Sequence, residues 1–194
     1  MFISSSPPEI RDYPTRIELG RFYLNDSREF LHRFKVTFFN ENHDFQSLKS
    51  LRMKSYTDLH FSMECLLKCI VCLRQKRNLS GERLVKKIRN YNHRLEKLYF
   101  CAIQNAVRSP NDDKLIEDCN RLGVFVRYQF DEMNLRSKND TLYYKTIGND
   151  SWISAIVQKI ELGQNRTSKA FCTIRSVHTG EDLVSEYRRT NVYN

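Results

Sequence analysis

Residues 55–98 carry the clearest alternation of apolar and polar positions. Tyr56, Leu59, Met63, Leu66, Ile70 and Leu73 recur at gaps of three and four, which marks one face of an α-helix. Phe61, Cys65, Leu67, Cys69, Val71 and Cys72 add apolar character elsewhere on its surface. That predicts a helix central in its domain, or one that also faces a second subunit. It is expected from near Phe45 to about Gln75. After Asn78-Leu79-Ser80-Gly81 a second stripe follows: Leu84, Ile88, Tyr91, Leu95 and Leu98, with cations on the opposite face. Ser80 is placed as its N-cap, and the helix is expected to run unbroken to about Val107, before Ser109-Pro110 stops it. The two helices predict an antiparallel hairpin buried against further helices.

Upstream, Leu19, Phe22 or Tyr23, Phe30, Phe34 and Phe38 repeat with a helical period from Ile17 to about Phe39. Gly20 and the cluster Asn25-Asp26-Ser27 weaken its middle. One long helix with a soft spot, or two helices with the second capped by Asp26 or Ser27, both fit. Downstream, a shorter helix is expected from Asn111 to about Leu122. Val124–Tyr128 is an apolar run of undetermined type, and Arg136–Asp140 reads as a polar loop. A last helix is expected from Asp150 or Ser151 toward Ala170, and the chain from Cys172 to Asn194 reads as a tail or short helix.

Six glycines and four prolines are spread over 194 residues, with Pro7, Pro8 and Pro14 near the start. An interior so poor in breakers favours long helices over a turn-rich β fold. The predicted class is therefore all-α: an up-and-down bundle of four to five helices with a further C-terminal helix. Residues 1–15 are assigned to an N-terminal arm, 16–130 to the bundle, and 131–194 to a C-terminal helical extension and tail. A chain of this length buries enough apolar surface to fold without disulfides or metal.

The net charge of +9 is unevenly placed. Arg74, Lys76, Arg77, Arg83, Lys86, Lys87, Arg89, Arg94 and Lys97 face only Glu82 and Glu96 within 74–97, so this stretch supplies seven of the nine net positive charges. Such a field attracts polyanions, with RNA or another nucleic acid the commonest partner. A solvated helix face that keeps the protein soluble is the alternative reading. The first residues have neither a basic segment nor an apolar run long enough for a signal peptide, and Cys65–Leu73, the longest apolar stretch, is too short to span a bilayer. With six cysteines, these features predict free thiols, a reducing cytoplasmic setting and no membrane partner.

Cys65, Cys69 and Cys72 have no matching second cluster and read as core packing, with no metal site and no cofactor expected. His60, Glu64 and Lys68 are spaced i, i+4, i+8 and share one helical stripe. They form either a structural network or, in a cleft, an anion-binding or proton-transfer row. Arg89 and His93 lie one helical turn apart on the expected third helix, which suits phosphate chemistry: guanidinium on a phosphoryl oxygen, imidazole on a proton. No phosphate-binding glycine loop, nucleophile elbow or zincin motif is present.

His60-Phe61-Ser62-Met63-Glu64-Cys65-Leu66-Leu67-Lys68 resembles the second-helix pattern of the HEPN superfamily. Tyr91-Asn92-His93-Arg94-Leu95-Glu96-Lys97-Leu98 is similar to its Gly-His-Asp-Leu segment, and Val126-Arg127-Tyr128 to an Arg-Tyr element that follows. The resemblance spans roughly residues 17–130. It implies a small helical bundle, frequent homodimerisation, bacterial defence or toxin–antitoxin systems with a partner protein encoded nearby, and in many members metal-independent endoribonuclease activity. That activity uses an Arg-x(4–6)-His motif, which is not intact here. Arg89 and His93 are separated by three residues, as are Arg28 and His32, while Asn92 stands for the usual Gly and Arg94 for the usual Asp. The expectation is thus binding of RNA or a partner protein through Arg74, Lys76, Arg77, Arg83, Lys86, Lys87, Arg94 and Lys97. The alternatives are an endoribonuclease using Arg89 and His93, with His60 and Glu64 as further candidates, and a structural adaptor subunit of a larger complex.

Overall fold

A computed structural model describes residues 13–39, 47–76, 79–103, 109–122 and 140–177. Among them are seven helices and no strand, so the chain is all-α. They are α1 (Arg16–Phe38), α2 (Leu48–Arg74), α3 (Gly81–Arg89), α4 (Leu95–Ile103), α5 (Pro110–Leu122), α6 (Asp140–Lys145) and α7 (Asp150–Val177). Residues 1–12 of the expected arm, the Val124–Tyr128 run with its Arg-Tyr element, residues 136–139 of the expected polar loop, Arg77, and the expected tail from residue 178 onward lie outside the described residues.

Helix α2 occupies the centre, packed against α1, α4 and α7. Its predicted stripe is the reason: Tyr56, Leu59, Met63 and Leu66 are buried, and Cys69, Val71 and Cys72 close the other side. Ser47 caps its first turn by accepting from Ser50 N at 3.1 Å. The cysteines pack as small apolar groups, with burial pushing the Cys65 and Cys72 thiols up to about 12 and the Cys69 thiol higher still.

Helix α1 is continuous, and neither Asp26 nor Ser27 starts a second helix. Thr15 caps it instead, in a capping box with Glu18. Ser27 is fully buried and turns its hydroxyl across to α2. Its Oγ donates to the Ser62 carbonyl at 2.8 Å, Ser62 Oγ donates to the Ser27 carbonyl at 2.6 Å, and Gln164 Nε2 of α7 donates to Ser27 Oγ at 2.9 Å. Gly20 is likewise a packing position: a Cβ there would sit 3.2 Å from the Phe171 ring and 3.4 Å from Cys72 Cβ.

The expected third helix is two helices. Helix α3 begins after its predicted cap Ser80 but ends at Arg89. The chain then turns through Asn92 and His93, both left-handed at φ 44° and φ 57°, before α4 starts at Leu95. Leu84, Ile88, Leu95 and Leu98 are all buried even so, because α4 is redirected onto α2 and α5. The last helix reaches Val177, seven residues beyond Ala170. It packs on α1 and α2, and its Ile153, Ile156, Ile160 and Phe171 join the same apolar cluster as Leu19, Leu59 and Leu98. No described helix is long and apolar enough to cross a membrane.

Candidate functional site

The break between α3 and α4 brings a polar cluster together. On α2, the i, i+4 spacing sets Glu64 one turn from both His60 and Lys68. Glu64 is almost fully buried, and both its oxygens are engaged. Oε1 pairs with Lys68 Nζ, and Oε2 lies 2.9 Å from His93 Nδ1, twenty-nine residues further along the chain. Burial raises the Glu64 carboxyl, but the Lys68 charge and the hydrogen bonds from Lys68 and His93 outweigh it and hold the group below its ordinary value. A buried carboxylate so satisfied stays ionised.

His93 is the member of this cluster that meets solvent. Its side chain is 55% exposed, and its ring meets that of Phe61 in an edge-type contact at 5.8 Å between centroids. With Nδ1 committed to Glu64, Nε2 has no partner among the described residues. Carboxylate on one nitrogen and a free second nitrogen is the arrangement that orients an imidazole for proton transfer or for donation to an anion. Two successive left-handed non-glycine residues are costly, on the order of 1 kcal/mol each, and the Glu64 contact offsets that strain.

The other expected site residues are placed differently. His60 is buried and its ring is pushed down to about 4, chiefly by burial, so at neutral pH it is uncharged and out of reach of solvent. Its Nδ1 lies 3.4 Å from the Tyr56 hydroxyl, while Nε2 makes no hydrogen bond. Glu64 is equally buried and acts on His93 rather than on anything external. Arg89 ends α3 and His93 lies in the turn beyond it, so the two do not share a helical turn as their spacing suggested. Arg28 and His32 line a separate notch between α1 and α7, with Lys35, Glu161, Gln164 and Asn165.

Arg74, Lys76, Arg83, Lys86, Lys87, Arg89, Arg94 and Lys97 are all exposed. Lys86 pairs with Glu82 at 2.7 Å, and Lys87 donates to Gln75 Oε1 at 2.9 Å, tying α3 to the end of α2. Among the described residues, Arg74, Arg83, Arg89, Arg94 and Lys97 have no ion-pair partner. Sequence spacing did not reveal the Glu64–His93 pair, nor the Ser27–Ser62–Gln164 network, since each joins separate helices. Comparison with known proteins finds no counterpart: no family model, no curated protein and no solved structure matches the chain.

Proposed function

We propose that the protein is a HEPN-like helical protein of a bacterial defence or toxin–antitoxin type system that binds RNA through the basic surface of α3, α4 and the turn between them. The observation that carries this reading is a set of exposed arginines and a lysine, Arg83, Arg89, Arg94 and Lys97, with no ion pair among the described residues. Cations without carboxylate partners on short successive helices suit phosphate oxygens, whose neutralisation releases counterions. The test is RNA binding at low salt, comparing wild type with the triple variant Lys86→Glu, Lys87→Glu, Arg89→Glu. A steep loss of affinity is expected, and absence of any RNA binding by wild type overturns the reading.

A second reading, endoribonuclease activity, is favoured by one contact. The Glu64–His93 pair leaves a solvent-facing imidazole nitrogen beside Arg94, in a basic setting that attracts phosphodiesters. In that version His93 Nε2 takes the proton of the ribose 2′-hydroxyl as that oxygen attacks phosphorus, the 5′-oxygen leaves and takes a proton from water, Glu64 is a positioning residue, and an arginine of the same surface holds the phosphate. Cleavage of single-stranded RNA that is lost in His93→Ala is the expected result, and an inert wild-type protein excludes it.

A further inference from the structure

An apolar pocket of about 220 Å³ opens between α2, α4, α5 and α7. Met63, Leu67, Ile70, Tyr99, Leu115 and Ile160 give it apolar and aromatic walls. Its rim is charged: Arg74 from the end of α2, and Asp112 of α5 paired with Lys159 of α7 at 2.6 Å.

Three features of the pocket select an occupant. Cavities of about 150 Å³ lined by aliphatic and aromatic side chains already take up benzene, so this one has room for a heterocyclic ring. Tyr99 places an aromatic ring in the wall, and aromatic faces stack on any base. Arg74, exposed and without an ion-pair partner among the described residues, stands where the phosphate of the same nucleotide would lie.

We infer that this pocket receives one unpaired nucleobase of single-stranded RNA, with Arg74 on the adjoining phosphate. The inference rests on the RNA-binding reading and deepens it. The basic surface supplies sequence-independent attraction, and the pocket makes the protein discriminate single strands from duplexes, because a paired base cannot be splayed into it.

The experiment compares a short single-stranded oligouridine carrying one 2-aminopurine with an RNA duplex of equal length, both by titration with the full chain. Wild type should bind the single strand about tenfold more tightly, the scale of one stacked base, and the 2-aminopurine emission should change on binding. Leu115→Trp, which fills the pocket from a partly buried position, should bring single-strand affinity down to the duplex level while leaving duplex affinity unchanged. Equal wild-type affinity for the two RNAs, or an unaltered 2-aminopurine signal, overturns the pocket and leaves the basic surface standing. These wild-type measurements decide the matter even if Leu115→Trp fails to fold. Absence of binding to either RNA overturns the RNA reading itself, and the pocket with it.

Discussion

His93 Nδ1 sits 2.9 Å from Glu64 Oε2, so a buried carboxylate of α2 anchors the turn between α3 and α4. The same carboxylate also holds Lys68, and removing its charge leaves a largely buried ammonium without its counter-ion. Glu64→Gln is therefore expected to destabilise the fold by about 3 kcal/mol, the scale for breaking a buried ion pair from one side. Urea unfolding measures this directly. A double-mutant cycle of Glu64→Gln with His93→Ala should show coupling of about 1 kcal/mol or more. Strict additivity would mean that the two residues touch without depending on each other.

The turn itself makes a separate prediction. Asn92 is left-handed at φ 44°, a conformation that glycine adopts without steric cost and that Asn tolerates better than most residues. Asn92→Gly should leave stability within about 0.5 kcal/mol of wild type, since relief of strain opposes the added freedom of the unfolded chain. Asn92→Val should cost about 2 kcal/mol, because a β-branched side chain is strongly disfavoured there. Equal stabilities for the Gly and Val variants would show that the turn is not held in this conformation in solution.

These two residues also mark where the sequence was legible and where it was not. The central position of α2 could be read from Tyr56, Leu59, Met63 and Leu66, because a three-and-four period survives any tertiary context. Ser80 could be read as a cap because capping is a local contact. The break at Asn92 could not: Leu84, Ile88, Tyr91, Leu95 and Leu98 keep a helical period straight across it, and no glycine or proline announces the turn. The contact that holds the turn comes from a carboxylate on another element, which no local pattern shows. The same blindness left Asn25-Asp26-Ser27 open between a soft spot in one long helix and the start of a second, when Ser27 is spent on the Ser62 carbonyl across the α1–α2 interface.

Ser27→Ala tests that interface. It removes the donor to the Ser62 carbonyl and the acceptor of Gln164 Nε2, both buried, and leaves each without its partner. The expected cost is about 2 kcal/mol in urea unfolding, set by desolvated polar groups rather than by lost volume. A neutral Ser27→Ala would show that these groups find other partners.

Acid should destabilise the protein in two stages with different owners. His60 has its folded value lowered from 6.5 to about 4 by burial, so the unfolded chain takes up a proton that the folded chain refuses. Its contribution is complete above pH 6.5 and is lost as pH falls toward 4; that gap corresponds to roughly 3 kcal/mol. Glu64, held below its ordinary 4.5, contributes stability that is present above that value and lost at still lower pH. Unfolding free energies measured from neutral pH down to 4 should therefore flatten in His60→Gln, while the loss below 4.5 remains. An unchanged slope in His60→Gln would assign the upper stage to other groups.

Salt dependence separates the basic surface from His93. If Arg83, Arg89, Arg94 and Lys97 each neutralise a phosphate of single-stranded RNA, replacing one of them with Ala should reduce the slope of log affinity against log salt by about 0.7. His93→Ala should leave that slope nearly unchanged, because the imidazole is held through Nδ1 by Glu64 and not by a phosphate. Fluorescence anisotropy of a labelled oligonucleotide across a salt series gives both quantities at once. A slope that falls in His93→Ala as much as in Arg94→Ala would place the imidazole among the phosphate contacts.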